Sequence, residues 1–288
     1  MLQSVTILIP TCDRPKELKK TLRTLSRVVE EPFLHKVLVI NNSFTKIPQK
    51  WAKHKRVIIK NYYPLNLLES KNKALSQIKS KWVLVLDDDL LFDPNVVKKF
   101  VDYSKKYKFN VATGLLKEKN RYKIFDFLNF STYGKLTFYK VACLNTHKIL
   151  SNKPHYIDFA PGGFMFAKTS ILKKIKYDTN YLFPFYNEDT HLTLNAKKVM
   201  FFPKIKALHL KAKKGGNRNI SNLKDWYYAF GFNNSYFVNK NFSGFYYFLY
   251  SVFRARDHLH VLKKPNLSLL LTYIKGIYYG YIKAKNKN

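Results

Sequence analysis

The first half of the chain alternates short apolar runs with segments whose apolar residues recur every three or four positions. Runs typical of buried strands cover residues 5–9, 37–40, 57–59 and 82–86. Helical spacing follows at residues 18–25, 68–78 and 94–107. Strands that alternate with helices in this way form βαβ units, so we predict an α/β fold with a mixed, mostly parallel sheet flanked by helices.

The second half of the chain is less regular. A strand-like run at residues 141–144 precedes a short predicted helix at residues 169–175. Asn187 is expected to cap a further helix that runs to about residue 199. The first turn of that helix would hold two acidic residues, which suits the positive end of a helix dipole.

The C-terminal part of the chain is predicted to be helical and is rich in Tyr, Phe and Lys. A stretch of Lys, Gly and Asn without periodicity, residues 211–219, separates a main domain (residues 1–215) from this helical region (residues 216–288). Within it, residues 267–282 are mostly apolar, with one lysine among them. This pattern fits either a helix on an anionic membrane surface or a cap packed on the main domain.

Composition limits the compartment more than it limits the function. The chain has only two cysteines, Cys12 and Cys143, which form no Cys-x-x-Cys motif and suit a reducing compartment. Residues 1–10 lack the basic start and cleavage site of a secretory signal. The longest uncharged apolar run, residues 245–253, is far shorter than the ~20 residues that span a bilayer. We therefore expect a cytoplasmic protein, either free or peripheral on the inner face of the cytoplasmic membrane.

The charge of the chain is strongly unbalanced. It contains 52 Lys and Arg residues against 18 Asp and Glu residues, a formal net charge of +34. Nucleic acid and an anionic membrane surface are both partners that such a charge would attract. A compositional bias toward Lys, Asn, Tyr and Phe, with the lysines simply solvated, explains it equally well. Charge alone therefore does not decide the function.

The clearest candidate for chemistry is the acidic run Asp87-Asp88-Asp89, which directly follows the predicted strand at residues 82–86. Ligands of open α/β sheets bind beyond the carboxyl ends of the strands. Three adjacent carboxylates repel one another unless a cation or hydrogen-bond donors surround them. Oxygen ligands of this kind suit Mg²⁺ or Mn²⁺, which in turn bridge substrate phosphates.

Several short motifs of the chain occur in the order in which they occur in family 2 glycosyltransferases of the GT-A fold. They are residues 5–15 (VTILIPTCDRP), 70–74 (SKNKA), 87–89 (DDD), 162–165 (GGFM) and 187–189 (NED), followed by Pro203 and by Ala207-Leu208-His209. Each motif is weak by itself, but their order and their placement on the predicted elements are specific. The chain resembles this family over roughly residues 4–210.

The resemblance implies a nucleotide-sugar donor site. Pro10 and Thr11 would line the base, and Asp13 belongs to the same motif. Lys71 stands where the family usually has an Arg beside the base or the phosphates; a lysine supplies the charge but not the planar fork. Asn41 stands where the family usually has an Asp that accepts the N3–H of uracil, and it keeps a carbonyl acceptor without the charge. A UDP- or dTDP-sugar is therefore the expected donor.

The same resemblance assigns roles to the acidic run. Asp87 would hold the ribose and Asp88 would support the nucleotide sugar. Asp89, together with His209, would hold the Mn²⁺ or Mg²⁺ that neutralises the diphosphate leaving group. From the pattern alone, His209 could equally be an ordinary histidine at the end of a strand.

The resemblance also places the reacting groups. Asp189 would act as the general base of an inverting transfer, with Glu188 beside it in the donor site. From spacing alone, the acidic pair could equally be present because negative charge stabilises the helix N-terminus at which it lies. Gly163 would let the backbone approach the sugar, although an ordinary turn before a strand would also use glycine.

The expected function is an inverting, metal-dependent glycosyltransferase that acts on a glycan or lipid-linked acceptor in cell-surface polysaccharide biosynthesis. A nucleotidyltransferase is one alternative, but it would normally have a glycine-rich loop after the first strand, and residues 10–15 contain no glycine. A basic nucleic-acid-binding protein is the other, and clustered aspartates at a strand end fit it poorly, so nucleic acid is an unlikely partner.

Overall fold

Nine strands form one mixed sheet among the residues that the structure describes. The computed structural model describes residues 4–118, 132–136, 149–212, 215–216, 222–242, 246 and 266–286. The strands are β1 (Val5–Thr11), β2 (Leu34–Asn41), β3 (Val57–Asn61), β4 (Trp82–Leu86), β5 (Leu90–Phe92), β6 (Val111–Glu118), β7 (His155–Ile157), β8 (Phe164–Lys168) and β9 (Val199–His209). Their order is β3-β2-β1-β4-β8-β6-β9-β5, and β7 pairs with β9.

Helices lie against both faces of this sheet. They are α1 (Pro15–Thr24), α2 (Leu67–Ser76), α3 (Asn95–Lys106), α4 (Thr169–Ile175), α5 (Glu188–Ala196), α6 (Leu223–Asn241) and α7 (Leu267–Lys285). Two short 3-10 helices occupy Val28–Glu30 and Gln49–Trp51. The architecture is therefore the predicted α/β type.

The alternation of side chains along the strands divides the core into two layers. In β1, Leu8 belongs to the apolar cluster that contains buried residues of α2, α4 and α5. Its neighbours Ile7 and Ile9 belong to the opposite cluster, which contains buried residues of α1 and α3. Because successive side chains of a strand point to opposite faces, a central strand covered on both faces is apolar throughout, as the run at 5–9 is.

The direction of the strands determines where polar side chains can gather. Strand β1 runs parallel to β2 and to β4, and β2 runs parallel to β3. The carboxyl ends of β1, β2 and β4 therefore lie at one edge of the sheet. Strand β8 runs antiparallel to β4, which brings the turn before β8 to that same edge. Residues that are distant in sequence meet there.

The local pattern predicted most elements closely. The strand at 82–86 and the helix at 169–175 have the predicted bounds. The strand-like run at 141–144 lies outside the described residues. The prediction for α5 was wrong in two respects: the helix ends at Ala196, and Asn187 makes no side-chain cap. Asn187 has a left-handed backbone (φ 68°), and its amide instead donates a hydrogen bond to Asn234 of α6 (2.8 Å).

Helix α6 is attached to the main domain through polar contacts. The buried side chain of Asn233 donates to the carbonyl of Leu182 (2.7 Å) and accepts from its N–H (2.8 Å). Tyr236 donates to Asp178 at 2.6 Å. Burial alone would raise the pKa of Asp178, but the hydrogen bonds from Tyr236 and Asn180 outweigh it and lower the pKa below its ordinary value. The predicted division of the chain at residue 215 remains a prediction.

Helix α7 packs along α6 through glycines. A side chain at Gly276 or Gly280 would collide with backbone atoms of Tyr228 or Phe232 in α6, and one at Gly231 would collide with Tyr273 of α7. The two helix backbones therefore approach more closely than larger residues would permit. No helix in the described ranges has the length and hydropathy needed to cross a bilayer.

The Asn233 contact should contribute measurably to stability. Replacing Asn233 by Ala leaves the N–H and the carbonyl of Leu182 without their partner, which costs about 1–3 kcal/mol. Chemical denaturation should show this loss in the free energy of unfolding. Asn239→Ala is the matched control, because Asn239 in the same helix bonds, among the described residues, to Ser235 one turn earlier. Equal effects of the two substitutions would contradict the docking role of Asn233.

Candidate active site

A cleft opens at the sheet edge where β1, β2 and β4 end. Its volume is about 370 Å³, within the range of small-ligand sites. The residues that line it include Pro10, Thr11, Asn42, Asp87, Asp88 and His209. Five residues predicted from the sequence are thus brought together, and Asn42 joins them. Asp13 is exposed and is not among the lining residues.

The two residues predicted to bind the metal, Asp89 and His209, lie next to each other in the structure. Strand β9 delivers His209 next to Asp89, with His209 Nε2 3.0 Å from Asp89 Oδ1. Single ligand atoms of Asp87, Asp89 and His209 all lie within 4.8 Å of one another. Two carboxylates and one imidazole form a donor set that suits Mn²⁺ or Mg²⁺, with oxygen ligands in the majority. These residues fit a divalent cation, and Asp87 joins the pair predicted from the sequence.

Asp88 faces different partners from its two neighbours. Thr11 at the end of β1 donates a hydrogen bond to Asp88 Oδ2 (2.6 Å), and Arg14 Nη1 lies 3.1 Å from Asp88 Oδ1. Arg14 also lies 3.6 Å from Asp89 Oδ2. Asp88 is thus held inside the protein by side chains of the first motif, between the two carboxylates that can reach a metal.

The three aspartates differ in their affinity for protons. Burial raises the pKa of Asp87, and the carboxylates of Asp89 and Asp189 add to the shift. Burial also raises the pKa of Asp88 to about 7, against the opposing effects of Arg14 and Thr11. For Asp89, burial would raise the pKa, but the hydrogen bond and charge of His209, with smaller contributions from Ala212 N–H and Arg14, lower it to about 2. A bound cation would favour the state in which all three carboxylates are ionised together.

Arg14 also fastens the segment that follows β9. Its Nη2 donates to the carbonyl of Gly215 (2.8 Å), while the N–H of Gly216 donates to the carbonyl of Cys12 (2.9 Å). Both glycines have positive φ, 80° and 53°, which favours glycine at these positions. The N–H of Ala212 donates to Asp89 Oδ2 at 2.8 Å. Residues predicted to form a domain boundary thus close one side of the cleft.

The expectation for Asn41 has to be corrected. Its buried amide is committed inside its own loop: Nδ2 donates to Thr45 O (2.9 Å) and to Asn61 Oδ1 (2.8 Å), and Oδ1 accepts from Ser43 N (3.2 Å). It does not line the cleft. A residue satisfied in this way ties the loop together and has little left for a ligand.

The next residue, Asn42, has the properties that were expected of Asn41. It lines the cleft, and its Nδ2 donates to Leu65 O at 2.9 Å and to Ser70 Oγ. These bonds fix the amide orientation, whereas its buried Oδ1 has no hydrogen-bond partner among the described residues. An oriented acceptor without a partner, beside Pro10 and Thr11, is suited to a ligand N–H.

The N-terminus of α5 forms a second charged cluster. Lys71 is almost completely buried, and its Nζ lies 3.6 Å from Asp189 Oδ1 and 4.5 Å from the centre of the Tyr177 ring. Asn72 bonds to both backbone polar groups of Tyr177 (2.8 Å each) and so holds the ring in place. Lys71 was predicted beside the nucleobase or the phosphates. The structure places it against Asp189, the residue predicted to be the general base.

Burial shapes the protonation of this cluster as well. Burial would lower the pKa of Lys71, but Asp189 and the other acidic groups around it raise the pKa above its ordinary value, so the lysine remains charged. Burial, together with the charge of Asp189, raises the pKa of Glu188 well above its ordinary value. Lys71 and Asp189 therefore form the ion pair of this cluster.

Two glycines make room for the two clusters to lie side by side. The antiparallel pairing of β4 and β8 continues past Leu86, so that Asp87 N donates to the carbonyl of Gly163 (2.9 Å). A Cβ at Gly163 would overlap the carboxylate of Asp87, and a Cβ at Gly162 would overlap that of Asp189. Gly163 was predicted to let the backbone approach the sugar. In the structure the group that lies close to Gly163 is the carboxylate of Asp87.

Sequence reasoning missed three residues that shape the site: Arg14, Asn42 and Tyr177. Arg14 stood inside a quoted motif, so its motif membership was the available signal. Asn42 is adjacent to a predicted residue, and only the backbone shows which of the two amides faces the cleft. No sequence pattern pointed to Tyr177, because its role depends on contact with Lys71, which lies 106 positions earlier in the chain.

Comparisons with known proteins agree with this architecture. The sequence profile described as glycosyl transferase family 2 matches residues 6–175, more than half of the chain. The crystal structure of S. aureus TarS 1–349 in complex with UDP-GlcNAc superposes with a TM-score of 0.65 at 14% identity, covering 98% of this chain and 81% of that one. GalNAc-T7 with UDP, GalNAc and Mn²⁺ superposes with a TM-score of 0.59 at 12% identity, covering 99% and 57%. No curated protein sequence matches significantly. The structural matches establish the GT-A type of fold.

The two glycines provide a test of the candidate metal site. Gly163→Ala should displace Asp87 and lower the affinity for Mn²⁺ by about 10- to 100-fold, the effect typical of disturbing the support of a metal ligand. Gly162→Ala displaces Asp189 instead and should leave Mn²⁺ affinity nearly unchanged. Electron paramagnetic resonance of free Mn²⁺ would measure both variants. Equal affinities in the wild type and in Gly163→Ala would contradict the assignment of Asp87.

Proposed function

The chain belongs to glycosyl transferase family 2, and on that basis we propose that it transfers a sugar, with inversion, from a UDP- or dTDP-sugar to a hydroxyl group. The acceptor is a glycan or a lipid-linked saccharide of cell-surface polysaccharide biosynthesis. The observation that carries the proposal is the pairing of two acidic clusters across Gly162-Gly163. The candidate metal ligands lie on one side of this turn and Asp189 lies on the other.

The donor is assigned to the cleft at the ends of β1, β2 and β4. Pro10 and Thr11 line it, and Asn42 Oδ1 offers the acceptor that the N3–H of uracil or thymine requires. UDP in the solved complexes of TarS and GalNAc-T7 supports uracil as the base. Asp87 and Asp88 line the same cleft, where the ribose and the diphosphate would lie.

The leaving group of the transfer is a nucleoside diphosphate, whose charge has to be stabilised as the glycosidic bond breaks. Asp87, Asp89 and His209 would hold a divalent cation, which supplies this stabilisation as a Lewis acid. Mn²⁺ in the GalNAc-T7 structure supports manganese as the ion. Arg14, which also lines the cleft, lies 3.1 Å from Asp88 and 3.6 Å from Asp89 and helps to keep these carboxylates in place.

Asp189 is assigned as the general base. An inverting transfer needs one carboxylate that takes the proton of the acceptor hydroxyl while its oxygen attacks the anomeric carbon. Lys71 fits the role of a positioning residue, because its Nζ lies 3.6 Å from Asp189 Oδ1 and holds that carboxylate from one side. Burial and the charge of Asp189 raise the pKa of the neighbouring Glu188 well above its ordinary value.

The alternative functions lack comparable support. Strand β1 is followed by Cys12, Asp13 and Arg14 rather than by a glycine-rich loop for a triphosphate. The net charge of +34 does not require nucleic acid, because the inner face of the cytoplasmic membrane is also anionic. We assign the protein to that compartment and to that surface, where a lipid-linked acceptor would be presented.

Asp189→Asn tests the base assignment. The substitution preserves size and removes the proton acceptor, so kcat should fall by about 10²- to 10⁴-fold while the affinity for UDP-sugar in the presence of Mn²⁺ stays the same. UDP release and isothermal titration would measure the two quantities. Asp225→Asn, in the first turn of α6, is the matched control for a carboxylate that only favours a helix N-terminus. Similar kcat values for the two variants would refute the assignment.

Lys71→Met tests the positioning role of the lysine. Without the ammonium group beside Asp189, the carboxylate loses the contact that holds it in position, so kcat should fall by about 10- to 100-fold while the affinity for UDP-sugar stays nearly the same. Lys71→Arg should restore part of the wild-type kcat. Lys73→Met is the control, since Lys73 lies in the same helix and contacts the ring of Tyr62 rather than a carboxylate. A loss of UDP affinity with an unchanged kcat would instead favour the direct donor contact predicted from the sequence.

A further inference from the structure

Helix α7 has two apolar sides, and the structure accounts for one of them. The inner side packs on α6 through Leu269, Tyr273, Gly276, Gly280 and Ala284, all of which are buried. Gly276 and Gly280 meet the α6 backbone directly. The spacing of these residues, every three or four positions, is that of a single helix face. This side is the packed cap that the sequence allowed as one alternative.

The outer side of α7 carries a second apolar row. It consists of Leu267, Leu271, Ile274, Tyr278 and Tyr281, which are between 38% and 71% exposed. Their spacing of four, three, four and three positions places them on one line along the helix, on the side away from α6. A helix that is apolar on opposite sides is normally covered on both. Contiguous exposed apolar surface of this kind marks an interaction site.

The charges of α7 identify what covers this row. The helix contains Lys275, Lys283 and Lys285 and no acidic residue. A second copy of the chain would bring the same lysines and the same net charge of +34. A bilayer with anionic lipids offers the opposite charge together with an apolar interior. Tyrosines are enriched at such interfaces, and lysines can extend their charged ends from an apolar surface toward headgroups.

We propose that the outer row of α7 lies on an anionic phospholipid surface, with the helix axis in the plane of the membrane. The inference deepens the proposed function and rests on it, since it names the surface at which a lipid-linked acceptor would be met. Lys275 and Lys285 lie nearest to the outer row and contact the headgroups, and the row of Leu, Ile and Tyr enters the region below them. Helix α6 contacts both α7 and the main domain, so it fixes the orientation of the site relative to the membrane.

Vesicle sedimentation of the full chain tests the proposal. Wild-type protein should bind vesicles of phosphatidylcholine and phosphatidylglycerol at least tenfold more tightly than vesicles of phosphatidylcholine alone. Leu271→Gln/Ile274→Gln, which alters residues 58% and 50% exposed, should lose at least tenfold of that binding. Leu150→Gln/Tyr156→Gln, at residues 63% and 50% exposed outside α7, should keep it. Lys275→Gln/Lys283→Gln/Lys285→Gln should weaken binding to the anionic vesicles only.

Three results would overturn the proposal. They are equal binding by the two apolar variants, equal binding to both kinds of vesicle, or an α7-dependent dimer in light scattering, twice the 34.0 kDa chain mass, that binds no vesicles. Circular dichroism of each variant checks that it is folded. Titration with UDP-sugar separates this inference from the proposed function. Vesicle binding that depends on α7 in a protein with no affinity for nucleotide sugars would refute the function and leave the membrane surface standing.

Discussion

The arrangement of the site depends on one steric constraint, the absence of side chains at Gly162 and Gly163. Asp87 comes from the end of β4 and Asp189 from the start of α5, and each carboxylate occupies the space where one of these glycines would carry a Cβ. The pairing of β4 with β8 fixes the position of the turn, because Asp87 N bonds to Gly163 O. Two acidic clusters with different chemistry can therefore lie within one small volume.

Packing carboxylates this closely creates an electrostatic cost, and the surrounding cations answer it in three different ways. Arg14 pairs with Asp88 and approaches Asp89, while Lys71 pairs with Asp189. His209 lies 3.0 Å from Asp89, and the charges of His209 and Lys71 only partly offset the burial that raises the pKa of Asp87. Arg14 and Lys71 thus supply permanent counter-charges to Asp88, Asp89 and Asp189. A cation bound by Asp87, Asp89 and His209 would add positive charge at Asp87.

Local sequence patterns predicted the fold well, because strand and helix periodicity is a local property. The apolar run at 82–86 and the helix at 169–175 are determined by a few neighbouring residues. Local patterns do not predict which of two adjacent residues at a strand end faces the cleft. Asn41 and Asn42 are both amides, but the side chain of Asn41 bonds within its loop while that of Asn42 lines the cleft. Pairings such as Lys71 with Asp189 are likewise set by the crossing of distant elements. A motif can identify residues of a site, but the fold of the backbone determines which of them are in contact.

The C-terminal helices connect the site to the surface of the molecule by a short chain of contacts. Asn187, the residue before α5, bonds to Asn234 of α6, and Asn233 holds the backbone of Leu182. Helix α7 rests on the opposite side of α6 through glycines, which leave little freedom between the two axes. The helix that presents Asp189 is therefore braced by the same element that carries α7. A membrane bound to the outer row of α7 would face a site whose orientation is already set by α6, so the approach of an acceptor and the position of the proposed general base would be coupled through one helix.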